Sequence, residues 1–220
     1  MPNEELKVAR LELIQAQAAQ LRVDTAIKQH ELDHKDASDR DRVYHFNGPI
    51  YNETIETAIE VLQHWVWMDY NKAITIAFNS PGGVVFEGWA LYDWVKDHVE
   101  QGVEINTTAY GKCASMATVC MQAGKHRSLH RNCMFMVHEV DSFVSGTTAS
   151  LKEQTKFVES LQTRIEDVLV SRANQDKLTA LYPDSNLTPA EALHKRTEHR
   201  DWWLTPEESL EYGFIDVIAE

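Results

Sequence analysis

Three short stretches of this chain carry residue types that together can perform acyl transfer. They are Phe78-Asn79-Ser80-Pro81-Gly82-Gly83, then Gly111-Lys112-Cys113-Ala114-Ser115-Met116-Ala117, then Met136-Val137-His138. In the first, proline fixes one φ and two glycines open positive φ, so the turn can aim backbone amides at a developing oxyanion. In the second, Ser115 stands where a helix begins, beside the unpaired Met116 amide and the positive end of the helix dipole. In the third, an imidazole at the end of an apolar strand can deprotonate a serine at neutral pH. Each stretch alone has a plainer reading: a tight turn, an N-cap serine, a core histidine. One catalytic reading accounts for all three in order, with Ser115 as nucleophile and His138 as base.

Other spacings are weaker. His30-Glu31-Leu32-Asp33-His34 fits the H-E-x-x-H pattern of zinc proteases. It lies in a charged run with no apolar shell, so coincidence is the better reading and no metal is expected. Lys112 raises a Ser–Lys pair, but three residues across a turn is poor geometry for a desolvated base. Cys113 reads as a small core residue. The tryptophans Trp65, Trp67, Trp89, Trp94, Trp202 and Trp203 read as core and subunit contacts, with Asp201-Trp202-Trp203 walling the active-site end.

The elements that must position these residues alternate in type. Strands are expected at 42–46, 73–78, 104–110, 134–137 and 214–218. Helices are expected at 53–68, 86–99, 115–122, 148–173 and 206–212. Repeated strand–helix units imply an α/β domain with mainly parallel pairing. Ahead of it, residues 4–35 have helical composition and a thin apolar stripe (Leu6, Ala9, Leu13, Ala16, Val23, Ile27) of coiled-coil type. A charged stretch from Asp33 to Arg42 follows. The boundary is therefore set between a helical extension, 1–40, and a domain, 41–220.

Composition narrows the function. A net charge of −13 over 220 residues argues against nucleic-acid binding. Three cysteines in no paired or metal-like spacing fit a reducing compartment. No apolar run approaches membrane-spanning length and no signal-peptide pattern opens the chain, so a cytoplasmic protein is expected.

From about Val43 to Val217 the chain resembles the Clp-type (caseinolytic) serine protease subunits and their relatives among viral head-maturation proteases. The resemblance rests on Asn79-Ser-Pro-Gly-Gly83, Ala114-Ser115-Met116, Ala123-Gly124, His138, and Glu207-Glu208 through Glu211-Tyr212-Gly213-Phe214-Ile215-Asp216. It implies the spiral of ββα units shared with crotonase-like proteins. It also implies Ser115 as nucleophile, His138 as base, and an oxyanion hole from Met116 with Gly82 or Gly83. Val84 and Val85 would pair with the substrate backbone as an added strand. By the same resemblance the 148–173 helix would mediate ring-to-ring contact. The third triad member departs from the pattern. Counting back without gaps from Asp201-Trp202-Trp203, the family's aspartate falls at Thr197, which cannot stabilise an imidazolium as a carboxylate does. Asp201 is the favoured substitute, with Glu198 the other carboxylate within one turn, and a Ser–His dyad the remaining form.

The expected protein is a serine endopeptidase that needs no cofactor, assembles into a homo-oligomeric ring and acts on polypeptides. The N-terminal extension suggests docking to a capsid or scaffold protein during head maturation. A degradative subunit coupled to an AAA+ ATPase is the alternative. Two readings from other classes stand beside these: an assembly protein with weak or no catalysis, and a crotonase-like acyl-CoA enzyme.

Overall fold

The computed structural model describes residues 20–22, 28 and 39–219. Contacts divide the chain between Arg42 and Val43, and the strands of the described residues all lie in the second unit. The apolar stripe of the N-terminal segment and the His30–His34 motif lie outside the described residues, apart from helical conformation at 20–22 and 28.

The domain opens with two strand–helix units. Strand β1 (Val43–Asn47) leads to α1 (Asn52–Met68), and β2 (Ile74–Ser80) to α2 (Val85–Glu100). Both helices return the chain for parallel pairing: β1 lies beside β2, and β2 beside β3 (Ile105–Ala114). Strand β2 reads Ile-Thr-Ile-Ala-Phe and is buried along most of its length, as a central parallel strand requires. Trp65 of α1 and Phe78 of β2 are both fully buried in the core.

Strand β3 changes partners along its length. Thr107–Ala109 pair with Arg127–Leu129 of β4 (Arg127–His130), whereas Lys112–Ala114 pair with Met134–Met136 of β5 (Met134–Val137). The switch falls at Gly111, whose φ is +67°. The β2–β3 register also jumps here, from Phe78↔Ala109 to Ser80↔Cys113. The strand therefore does not end at Gly111, as the sequence reading has it. It bends there, which carries Ser115 away from the main sheet and onto the β5 side.

After β5 come α4 (Thr148–Ser171), α5 (Gln175–Thr179), α6 (Pro189–Thr197), β6 (Trp202–Leu204), α7 (Pro206–Glu211) and β7 (Val217–Ala219), with α3 (Met116–Met121) between β3 and β4. Strand β6 pairs antiparallel with β5, and β7 pairs parallel with β4, giving the order β1-β2-β3-β4-β7 with β5 and β6 branching from the end of β3. Phe135 of β5 stacks on Phe214 at 5.5 Å between centroids, and Trp202 of β6 meets Phe214 edge-on at 6.0 Å. This aromatic cluster is part of the buried core around β5 and β6.

Strand β4 carries a buried arginine. Arg127 Nη2 and Nε reach Asp216 Oδ1 and Oδ2 at 2.6 and 3.1 Å, and the Arg127 N–H donates to the same carboxylate at 2.8 Å. Planar two-point pairing of this kind is the strong form of an arginine–carboxylate contact. Arg172, just beyond α4, donates to the carbonyls of Gln122, Gly124 and Lys125 and so fastens the loop between α3 and β4. Among the described residues no helix is long and apolar enough to cross a membrane.

Candidate active site

Ser115 occupies the N-cap position of α3, yet it is no ordinary cap. Its backbone sits at φ 55°, ψ −131°, not in the extended region, and its hydroxyl makes no cap hydrogen bond. A positive φ at a non-glycine residue is strained, and neighbours must hold it. The Ser115 N–H donates to Met136 O of β5 at 2.8 Å, and its carbonyl accepts from the Thr118 N–H at 2.9 Å. Freed from capping, Ser115 Oγ stands 2.7 Å from His138 Nε2.

The Ser-Pro-Gly-Gly turn is built against that serine. A Cβ on Gly82 (φ +88°) would lie 2.6 Å from both Ala114 O and Ser115 Cβ, so only glycine lets the two segments approach this closely. The turn is pinned by Ile50, whose N–H donates to Gly82 O and whose carbonyl accepts the Val84 N–H, at 2.8 and 3.0 Å. Sequence reasoning gave Ile50 no role. A lone apolar residue before a helix carries no signal of such pairing.

The two glycines are not equivalent. The Gly82 N–H donates to the buried Ser80 Oγ at 3.1 Å. Among the described residues the N–H groups of Gly83 and Met116 make no hydrogen bond, and both residues line the cleft at Ser115. Gly83 rather than Gly82 thus has an amide to offer an oxyanion.

Val84 and Val85, expected to pair with substrate, stand where the turn runs into α2. The Val84 N–H is held by Ile50 O and its carbonyl by the Gly88 N–H, while Val85 already begins α2. Val84 is extended, at φ −66° and ψ 125°, for one residue before the helix begins. Val85 instead contributes a side chain to the cleft, and Val84 lies partly exposed beside it.

Of the three residues considered for the acid, Asp201 is the one within reach of His138: Oδ1 lies 3.8 Å from Nδ1. That is ion-pair range and too long for a hydrogen bond. The carboxylate is 54% exposed. Thr197 is buried and donates to Leu193 O and His194 O of its own helix. Glu198 faces His199 Nε2 at 3.8 Å. Asp201 on the Nδ1 side favours the tautomer that leaves Nε2 free to accept the Ser115 proton.

The cleft itself, of about 160 Å³, is closed by side chains the sequence did not single out: Val119 from α3, and Ile165 and Leu169 from α4. The i, i+4 spacing on α4 shows an apolar stripe but not what it covers. Glu139 and Asp141 lie at the other side. Neither rival nucleophile arrangement is present. Cys113 is buried, and burial pushes its thiol well up; Lys112 is exposed on the strand. Trp65 and Trp202 are core, whereas Trp67 and Trp203 are exposed. Among the described residues no group of three or more His, Cys, Asp or Glu side chains could hold a metal.

The family model described as "Clp protease" matches residues 28–220. An "ATP-dependent Clp protease proteolytic subunit" of Streptococcus uberis is 30% identical over 183 residues, covering 82% of this chain and 86% of that protein. An "ATP-dependent Clp protease proteolytic subunit 2" of Chlamydia pneumoniae is 27% identical over 182 residues, covering 82% and 81%. With its parallel α/β fold, the chain belongs to the Clp protease family of serine endopeptidases.

Proposed function

We propose that this protein hydrolyses polypeptides through an acyl-enzyme formed on Ser115. His138 Nε2 takes the hydroxyl proton as Oγ attacks the carbonyl carbon. The N–H groups of Gly83 and Met116 receive the oxyanion. The imidazolium returns its proton to the departing amine, with Asp201 offsetting the charge, and His138 then activates the water that releases the acyl group. One observation carries this reading: Ser115 abandons its capping bond and turns its hydroxyl to 2.7 Å from His138 Nε2. A purely structural or acyl-CoA-binding protein needs no such pair. A fluorophosphonate probe tests it. Labelling should vanish in Ser115→Ala, and labelling that persists there would sink the assignment.

For the setting, we favour processing of capsid or scaffold proteins in an assembling viral head, by a homo-oligomeric ring in the cytoplasm of the host. The helical composition of residues 1–40 supports this reading. The stacked pair Phe86 and Phe157, both about half exposed, supports burial against other subunits. The relatives' names favour the second setting, a degradative subunit served by an AAA+ ATPase. Cleavage of a scaffold protein without ATP supports the first. Turnover of folded substrates only with an added unfoldase and ATP supports the second.

A further inference from the structure

Residues 139–144 carry the chain away from His138 with no helix or strand of their own. Among the described residues, one backbone group of this stretch is hydrogen-bonded: the Val140 N–H donates to Gln162 Oε1 of α4 at 2.7 Å. A backbone N–H can only donate, so the Gln162 carbonyl must face Val140 and its NH₂ must face the other way. There Nε2 donates to Glu166 Oε1 at 2.6 Å. The same oxygen lies 2.8 Å from His194 Nδ1 of α6. Gln162 and Glu166 are 6% and 7% exposed. A carboxylate so far removed from water depends on these donors, and a buried chain of this kind is costly to break at any link.

His194 faces the carboxylates of Glu166 on α4, Glu139 after β5 and Glu198 at the end of its own helix. The Glu166 hydrogen bond, opposed by partial burial, raises its pKa. The chain of bonds runs from α6 through α4 to the backbone two residues past His138. The other ties near His138 are longer: Glu139 Oε2 accepts the His199 N–H at 3.4 Å, and Asp201 stands off at 3.8 Å. We propose that Gln162, oriented by Glu166 and His194, is a positioning residue that fixes the His138 segment at the distance Ser115 requires. This rests on Ser115 and His138 being the reacting pair.

Steady-state hydrolysis of a fluorogenic peptide by the full-length protein tests the proposal, with Ser115→Ala run alongside. Gln162→Glu sets a second carboxylate against Glu166. It should lower kcat about tenfold with KM unchanged, as expected when a reacting group is misplaced but binding is not. Combining Gln162→Glu with Glu166→Gln again sets an amide donor against a carboxylate and leaves an acceptor for Val140. It should return kcat to within about threefold of wild type. This exchange carries the test even if the single variant folds poorly. Wild-type kcat in Gln162→Glu, or a folded double variant as slow as the single one, overturns the positioning role while Ser115-dependent turnover stands. Turnover that survives Ser115→Ala overturns the site assignment first, and the positioning role with it.

Discussion

Asp201→Asn should lower kcat about 6- to 40-fold, far less than the roughly ten-thousandfold cost of neutralising a buried triad acid. The estimate follows from where the carboxylate sits. Its Oδ1 is 3.8 Å from His138 Nδ1 and the side chain is 54% exposed. At that distance a unit-charge pair is worth about 1 kcal/mol at the dielectric constant of water and about 2 kcal/mol at half that value. The half-exposed site calls for the wetter part of the range, and each 1.36 kcal/mol is about tenfold in rate. Since no Nδ1–H···O bond is made at 3.8 Å, the geometric share of a triad acid's contribution is largely missing, and the electrostatic share is what the substitution removes. The assay is kcat and kcat/KM for a fluorogenic peptide, from pH 5 to 9. A thousandfold loss would mean that the pair closes into a dry, hydrogen-bonded triad during turnover. A change below twofold would mean that Asp201 contributes nothing and a Ser–His dyad operates. Either result refutes the reasoning.

Other consequences can be checked separately. Gly82→Ala forces a side chain into a φ of +88° and to within 2.6 Å of Ala114 O. It should cost about 1–3 kcal/mol in strain and at least about a hundredfold in activity, measured by melting and peptide hydrolysis. The Asp216 pKa is raised by burial but lowered more by its bonds to Arg127, so the net shift is downward. The stability it supplies is therefore complete above the ordinary carboxylate pKa and lost as pH falls through the depressed one. Thermal melts between pH 6 and 2 should show that loss, and Arg127→Met should flatten the slope. Burial pushes the thiols of Cys120 and Cys133 up to about 12, and that of Cys113 well up. A thiol reagent at pH 8 should leave all three untouched in the native protein and modify them only after unfolding, as counted by mass spectrometry.

What the sequence made legible follows from which signals are local. Apolar runs such as Ile74–Phe78, and the break between Tyr110 and Ser115, state their element type within a few residues. Thr205-Pro206-Glu207-Glu208 announces a helix by its capping box, and the structure has one there. The same signature stands at Thr188-Pro189-Ala190-Glu191 and opens α6. The sequence reading places nothing there, because polar and charged residues dominate the helix it starts. Strand β4 is hidden for another reason: Arg127, Ser128 and His130 look like loop until Asp216, far along the chain, pairs with the arginine. The bend of β3 is also non-local. Gly111 reads as a stop, and only pairing with both β4 and β5 turns it into a hinge within one strand.

The acid shows the same limit most sharply. Counting along the sequence brings Thr197 to the place of the family's aspartate, but counting assumes that the chain reaches the site from its helix. Here α6 ends at Thr197 with that side chain turned onto Leu193 and His194 carbonyls. The chain then leaves by a tight turn in which His199 takes φ 57° and the Arg200 N–H returns to Thr197 O. That conformation is the type II turn, whose third position ordinarily favours glycine or asparagine. Beyond the turn, β6 pairs antiparallel with β5, with Phe135 opposite Leu204, Met136 opposite Trp203 and Val137 opposite Trp202. One step further on this register His138 meets Asp201, and side chains directly opposite in an antiparallel pair are neighbours. The carboxylate is therefore delivered by strand register rather than by helix position. This accounts for both its identity and its looseness, since a cross-strand partner at a sheet's open end faces solvent as well as the imidazole.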